Sequence, residues 1–362
     1  MKTILGQPSW RIASGGSEAF VTQTGGHLGP VRIQIGDRIV EPFSVAPWAE
    51  ETLRLPSEPM LRSLRGDFFC LPFGGNEKPY QGETHPAHGD SANLNWTLEG
   101  LDGNEIHLSM RTKTRPGRVD KRVRLEGSII YQTHIISNMS GPMPAGHHAM
   151  LRFPSEGRLS TSGFLHGRVY PGEFERPSAG GYTSLLPGAT FNDLSQVPMA
   201  NGETADLSRY PARDGFEDLV QVYHPGDTPF AWNAVVVDGY VWVSLKDPRV
   251  LPATVLWHSN GGRHYNPWNG RHRRVLGVED VRAYFHFGVA ESAGDNPSPV
   301  PTAFDLDPLV PTEIRYVMAL AAVPDGFDIV ETVEANGNEI NILSRSGQGV
   351  RIGLDLGFVT PT

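Results

Sequence analysis

The sequence predicts an all-β chain, a large antiparallel β-sandwich forming a single domain over residues 1–362. Three observations carry this. Apolar and polar residues alternate wherever a pattern is visible, the 41 glycines and 30 prolines are spread along the whole chain, and sustained helical periodicity is missing. Val31-Arg32-Ile33-Gln34-Ile35, Ile106-His107-Leu108-Ser109-Met110 and Ile329-Val330-Glu331-Thr332-Val333 each alternate as half-buried strands do. The clearest element runs from Asn233 to Leu245, where two β-branched and aromatic runs flank Asp238-Gly239. That pattern calls for a hairpin closed by a type I′ turn. Pro311 to Val323 fits a helix or a strand equally well, while Asn336-Gly337-Asn338 and Ser346-Gly347-Gln348 mark further turns near the C-terminus.

Two segments break the strand rhythm, 171–215 (rich in Pro, Gly, Ser and Asn) and 294–311 (rich in Pro and Asp). Long segments of this kind inside a compact domain are functional or mobile as a rule, so the first is read as a loop insertion. No composition shift marks a domain border. The net charge of −9 speaks against a positive track for nucleic acid. Cys70, the single cysteine, sits in the apolar run Phe68-Phe69-Cys70-Leu71 and reads as a buried small hydrophobe. The N-terminal stretch lacks an apolar core of signal-peptide length and no later run approaches a membrane span, so a cytoplasmic location is expected.

The densest information lies between Leu64 and Trp96, which carries Arg65-Gly66, Leu71-Pro72-Phe73-Gly74 and Pro86-Ala87-His88-Gly89 ahead of Trp96. In order and spacing these motifs resemble the aldose 1-epimerase (galactose mutarotase-like) superfamily, most nearly its sugar-phosphate mutarotase branch. Gly25-Gly26-His27-Leu28-Gly29-Pro30 looks like that family's first hairpin. The resemblance implies a supersandwich with a sugar cleft on a concave sheet face, and an enzyme interconverting α and β anomers. Asp90-Ser91-Ala92 stands where the sugar-phosphate branch carries an aromatic residue and an arginine, which weakens the phosphate-sugar reading.

Opening a cyclic aldose needs one group to take the C1 hydroxyl proton and another to give a proton to the ring oxygen, expected on opposite sides of the ring. A histidine and a carboxylate suit the task. The resemblance places the general acid at His148, in Gly146-His147-His148-Ala149-Met150-Leu151, and the general base at Glu279, in Val275-Leu276-Gly277-Val278-Glu279-Asp280, with Glu291 as fallback. It gives His88 and Arg65 contacts to sugar oxygens and leaves Asp214 or Asp218 for a hydroxyl-binding aspartate. The aromatic-rich stretch Trp257 to Trp268 suggests a cleft wall with Arg263 and Trp268 in contact with substrate, joined by Trp257, His258 and Tyr265. The basic run Arg271-His272-Arg273-Arg274 is either a solvated turn or an anion contact. His85, His88, His147 and His148 raise a metal reading only weakly, so no metal and no cofactor are expected. The expected partner is a small-molecule sugar, with neither nucleic acid nor membrane, and a homodimer is compatible. Two rival readings are a sugar-binding module without turnover, and a glycan lyase or hydrolase, for which Tyr265 with His264 is the local hint.

Overall fold

The computed structural model describes residues 1–52 and 59–360. About 49% is strand and 6% helix, which makes the chain all-β. Two large antiparallel sheets form the body. The nine-stranded sheet runs, edge to edge, Arg209–Tyr210, Gly157–Thr161, Ala231–Val237, Tyr240–Lys246, Thr312–Ala322, Ile129–Ser137, Gly117–Glu126, Glu105–Thr112 and Thr97–Asp102. The eight-stranded sheet is centred on Glu217–Tyr223, Ala253–Ser259 and Val275–Arg282. Ala145–His147 and Ala149–Arg152 both pair with Val275–Arg282, and Phe69–Cys70 closes that edge. A five-stranded sheet of the first forty residues and a three-stranded one (Val330–Asn336, Glu339–Ser344, Gly349–Gly353) flank the body.

Burial explains why these residues form these elements. Val235, Trp242 and Met318 of the nine-stranded sheet share one apolar cluster with Leu256, Leu276 and Val278 of the eight-stranded sheet, so the main core lies between the sheets. A second cluster, including Trp48, Phe68, Trp257, Trp268 and Phe285, covers the other face of the eight-stranded sheet. Thr312–Ala322 settles the ambiguous segment as a strand. Its Ile314, Tyr316 and Met318 face the main core while Val317 and Ala319 join a third cluster with Ile340 and Ile342, a two-sided burial that period-2 alternation serves. The Asp238-Gly239 hairpin forms in the expected register, Val237 opposite Tyr240, with φ of 49° and 74° at the two turn residues.

Segment 171–215 lacks long strands but is ordered. It buries Leu185, Leu194, Val197, Leu207 and Tyr210 in the main core and folds back on itself through Val197–Pro198 and Thr204–Ala205. Cys70 is buried, as its apolar neighbours predict. Among the described residues no helix is long and apolar enough to cross a membrane.

The core also holds histidines away from water. Burial pushes His27, His224, His258 and His272 down to about 3. Unfolding returns each to its ordinary value of 6.5, so below that pH the unfolded chain binds more protons and the folded state loses stability as pH falls. Each contributes up to about 1.4 kcal/mol per pH unit in this window. Thermal melts between about pH 7.5 and pH 5 should therefore show Tm falling steeply below about pH 6. A flat profile would mean that the histidines are accessible to protons in the folded state.

Candidate active site

Two dipeptides on neighbouring strands build the site, because consecutive strand residues face opposite sides. His147 turns into the inter-sheet core, stacking on Tyr316 with ring centres 4.1 Å apart and placing Nδ1 2.9 Å from the Asp67 carboxylate. His148 turns to the outer face and stacks on Phe68 at 4.5 Å. Glu279 and Asp280 divide in the same way. Asp280 accepts hydrogen bonds from Lys246, Thr254 and Ser244 in the interior, while Glu279 faces outward and is still 0% exposed. Gly277, two positions earlier on that face, makes room for it, since a Cβ there would lie 2.8 Å from Oε1 of Glu279.

The motif between Leu64 and Trp96 holds these groups in place. Asp67 accepts the main-chain N–H of His148 at 3.1 Å and the side-chain amide of Gln132, on the nine-stranded sheet, at 2.6 Å, tying the histidine strand to the facing sheet. The Gly74-Gly75 pair reaches two further histidines. Gly74 O accepts from His88 N at 2.7 Å and Gly75 N donates to His286 O at 2.6 Å. Gly74 has φ of 95°, and a Cβ would lie 2.6 Å from the His286 main chain, so only glycine permits this approach. His88 itself adopts left-handed backbone (φ 59°), uncommon for a residue with a side chain and concentrated at functional sites.

The result is a compact cluster. Oε1 of Glu279 is 3.2 Å from Nε2 of His148, and Oε2 is 2.6 Å from Nε2 of His286. The His88 ring meets His148 and His286 edge to face at 4.9 and 5.0 Å. One ring nitrogen from each of the three lies within 4.8 Å of the other two, close enough for the trio to hold a metal ion. A small cleft opens onto the three histidines, walled by Met60, Leu64, Phe68, Trp257, Trp268 and Arg263. The Arg263 guanidinium lies over Trp268 and Trp257, 4.5 and 5.0 Å from the ring centres, and pairs with Glu175 of the 171–215 insertion at 2.5 Å.

Burial sets the protonation. It holds the Glu279 carboxyl well above the usual carboxylate range; Arg263 pulls the other way and Asp280 adds to the rise. Burial likewise holds His148 and His88 well below the usual imidazole range, each helped by the neighbouring histidines, and pushes His286 down to about 3.

No protein-family profile matches the chain, and no curated protein matches it in sequence. Solved structures do match. A provisional aldose 1-epimerase from Escherichia coli K12 superposes with a TM-score of 0.61 at 13% identity, over 88% of this chain and 100% of that one. A galactose mutarotase-related enzyme from Lactobacillus acidophilus gives 0.56 at 13% identity over 88% and 99%, and a galactose mutarotase-like protein from Lactobacillus casei gives 0.56 at 11% over 86% and 100%. The chain has the galactose mutarotase-like fold.

Within that fold the structure brings His148, Glu279, His88, Arg263 and Trp268 together as a group, joined by Trp257. Arg65 is a correction. It is 0% exposed, and its guanidinium donates to the main-chain oxygens of Ser63, Ile4 and Leu5, which pins the N-terminal strand and leaves it no contact with the cleft. Asp218 is held by Arg213, Ser184 and Leu185, and Asp214 pairs with Arg273 at the surface, so neither aspartate faces the cleft. The basic run is likewise engaged elsewhere, Arg271 with Glu51 and Arg274 with Pro154 O, while His272 stacks on Trp257. Glu291 pairs with Lys78, His258 packs on Tyr210 and His264 packs on Tyr182, away from the cleft lining. Tyr265 binds Glu175 behind Arg263, and with His264 turned to Tyr182 the two do not form the pair a lyase needs.

Two residues escape the sequence reading. His286 lies in Tyr284-Phe285-His286-Phe287, and a polar residue set in an aromatic run shortly after a buried glutamate is the signal that could have found it. Asp67 sits between Gly66 and the apolar run, where a lone carboxylate entering the core needs a partner.

Replacing Arg65 tests its reassignment. Arg65→Met should cost roughly 3 kcal/mol of stability in denaturant unfolding, because three carbonyl oxygens lose a charged donor. Sugar binding by the folded variant should remain at the wild-type level. A variant of normal stability and lost affinity would return Arg65 to the cleft.

Proposed function

We propose that the chain interconverts the α and β anomers of a free or lightly modified monosaccharide by proton transfer between Glu279 and His148. The observation that carries this is the contact between the two side chains, Oε1 to Nε2 at 3.2 Å, with His148 lining a small cleft that has two tryptophans in its wall. The C1 hydroxyl and the ring oxygen are bonded to the same carbon, so one donor and one acceptor placed side by side reach both. On this reading the acid and the base act from the same side of the ring, where opposite sides were expected.

Burial favours the neutral form of each partner, an un-ionised Glu279 beside an uncharged His148. In that state Glu279 is the donor to the ring oxygen and His148 the acceptor from the C1 hydroxyl, the reverse of the roles carried over from the family. The ring opens, rotation about C1–C2 exposes the other carbonyl face, and closure returns both protons. His286 steadies the carboxyl from its second oxygen, and Trp257 and Trp268 offer faces to the sugar C–H groups.

Glu279→Gln and His148→Asn should each lower the anomer exchange rate, followed by polarimetry or NMR on a sugar panel, by at least about a hundredfold. Sugar affinity should change far less, since the tryptophans and Arg263 remain. The wild-type pH–rate profile should be bell-shaped. Its alkaline limb belongs to Glu279, whose pKa burial raises, and its acid limb to His148, whose pKa burial lowers. The residual rate of Glu279→Gln should lose the alkaline limb. Sugar binding without exchange in the wild type would favour a binding module, and wild-type rates in both variants would remove the pair from the mechanism.

A further inference from the structure

We propose that His88, His148, His286 and Glu279 form a binding site for one divalent transition-metal ion of the zinc class beside the cleft. The site shares residues with the proton-transfer reading and does not rest on it.

Three imidazoles from three separate segments converge here. His88 comes from the Pro-Ala-His-Gly loop, His148 from the strand edge and His286 from the turn after Val275–Arg282. One nitrogen from each lies within 4.8 Å of the others, and the Glu279 carboxylate spans two of them at 3.2 and 2.6 Å. Donor atoms on a tetrahedral zinc ion, each 2.0–2.1 Å from the metal, stand about 3.3 Å apart. The 3.2 Å spacing to His148 already suits that figure, the 2.6 Å spacing to His286 has to open by about 0.7 Å, and the imidazoles need an approach of up to about 1.5 Å, within reach of ring rotation.

The donor set fits the chemistry of the ion. Three imidazoles and one carboxylate suit a borderline cation, whereas calcium and magnesium take oxygen ligands. Three histidines and one glutamate supply the four ligands of a tetrahedral zinc site.

A second observation points the same way. Nδ1 of His88, Nδ1 of His148 and Oε1 of Glu279 are buried without a hydrogen-bond partner. Unmatched polar atoms cost free energy in an apolar pocket, and Phe68 and Phe73 pack directly on this one. A cation that draws in the carboxylate and the three rings satisfies the Glu279 oxygen outright. The main chain preorganises the set, since Gly74 and Gly75 hydrogen-bond to both His88 and His286. A metal ion on His148 and Glu279 removes the lone pairs that proton transfer uses, so the bound ion and proton-transfer catalysis exclude one another.

The test uses the whole chain, freed of metal by a chelator and dialysis, then titrated with Co²⁺. One ion per chain is expected, with the intense visible bands of a low-coordinate cobalt centre, displaced by Zn²⁺. His88→Ala, His286→Asn and Glu279→Gln should each weaken Co²⁺ binding by at least about a hundredfold, while His264→Asn, outside the cluster, should not. Each variant is first checked for a wild-type circular dichroism spectrum. As a second readout, Zn²⁺ should raise the Tm of the wild type and not that of the three cluster variants. Weak bands typical of the hydrated ion, or binding undiminished in those variants, would overturn the site. Anomer exchange on the same samples separates the two proposals. An active metal-free chain that Zn²⁺ inhibits supports both. An inactive metal-free chain that the ion activates supports the site and removes the proton-transfer reading.

Discussion

The eight-stranded sheet is buried on both faces, and the rest of the molecule follows from that constraint. One face packs on the nine-stranded sheet and the other lies under an apolar cluster built by loops. A polar side chain on these strands has no access to bulk water on either side, so it must find a partner or change its protonation. On the inner face the partners are strong and direct, with Lys246 for Asp280 and Asp67 for His147. On the outer face the same strands carry Glu279 and His148, where desolvation decides the charge and a small cleft opens. Two adjacent residues on one strand thus enter separate environments, divided by the alternation of the backbone.

Much of the fold was legible in the sequence because it rests on local rules. Alternation marked strands, and Asp238-Gly239 fixed the hairpin and its register. The segment from Pro311 to Val323 stayed ambiguous because burial on both faces removes the polar half of the alternating signal. The candidate site was legible where a motif carried it. His88, His148, Glu279, Arg263 and Trp268 were all named and all meet. Arg65 misled because a motif position says nothing about which way a side chain leaves the backbone; this one runs to three carbonyl oxygens. His286 was missed for the opposite reason, since its place in the cluster comes from tertiary contacts with Gly75 and Glu279, and the aromatic run around it is only a faint local sign.

Segment 171–215 shows the same limit. Its composition read as loop, and loop it largely is, yet it fills the core with Leu185 and Tyr210 and sends Glu175 to Arg263. Through that ion pair the insertion controls an arginine stacked on both cleft tryptophans. Desolvation alone would weaken the charge of Arg263; Glu175 keeps it cationic in an aromatic box. The wall's electrostatics therefore come from a part of the chain distant in sequence from the strand that carries Glu279.

The paired contacts of Gly74 and Gly75 have a mechanical consequence. Because one short main-chain clip grips both the His88 loop and the His286 turn, the two sides of the cleft floor are geared together and cannot spread independently. The width of the floor is thereby written into backbone hydrogen bonds, whereas the rim, built from Met60, Leu64 and Trp268, is written into side chains. Drift in the rim can reshape the mouth of the cleft while the histidine cluster below keeps its dimensions. The scaffold in effect separates the outline of the opening from the spacing of the groups beneath it.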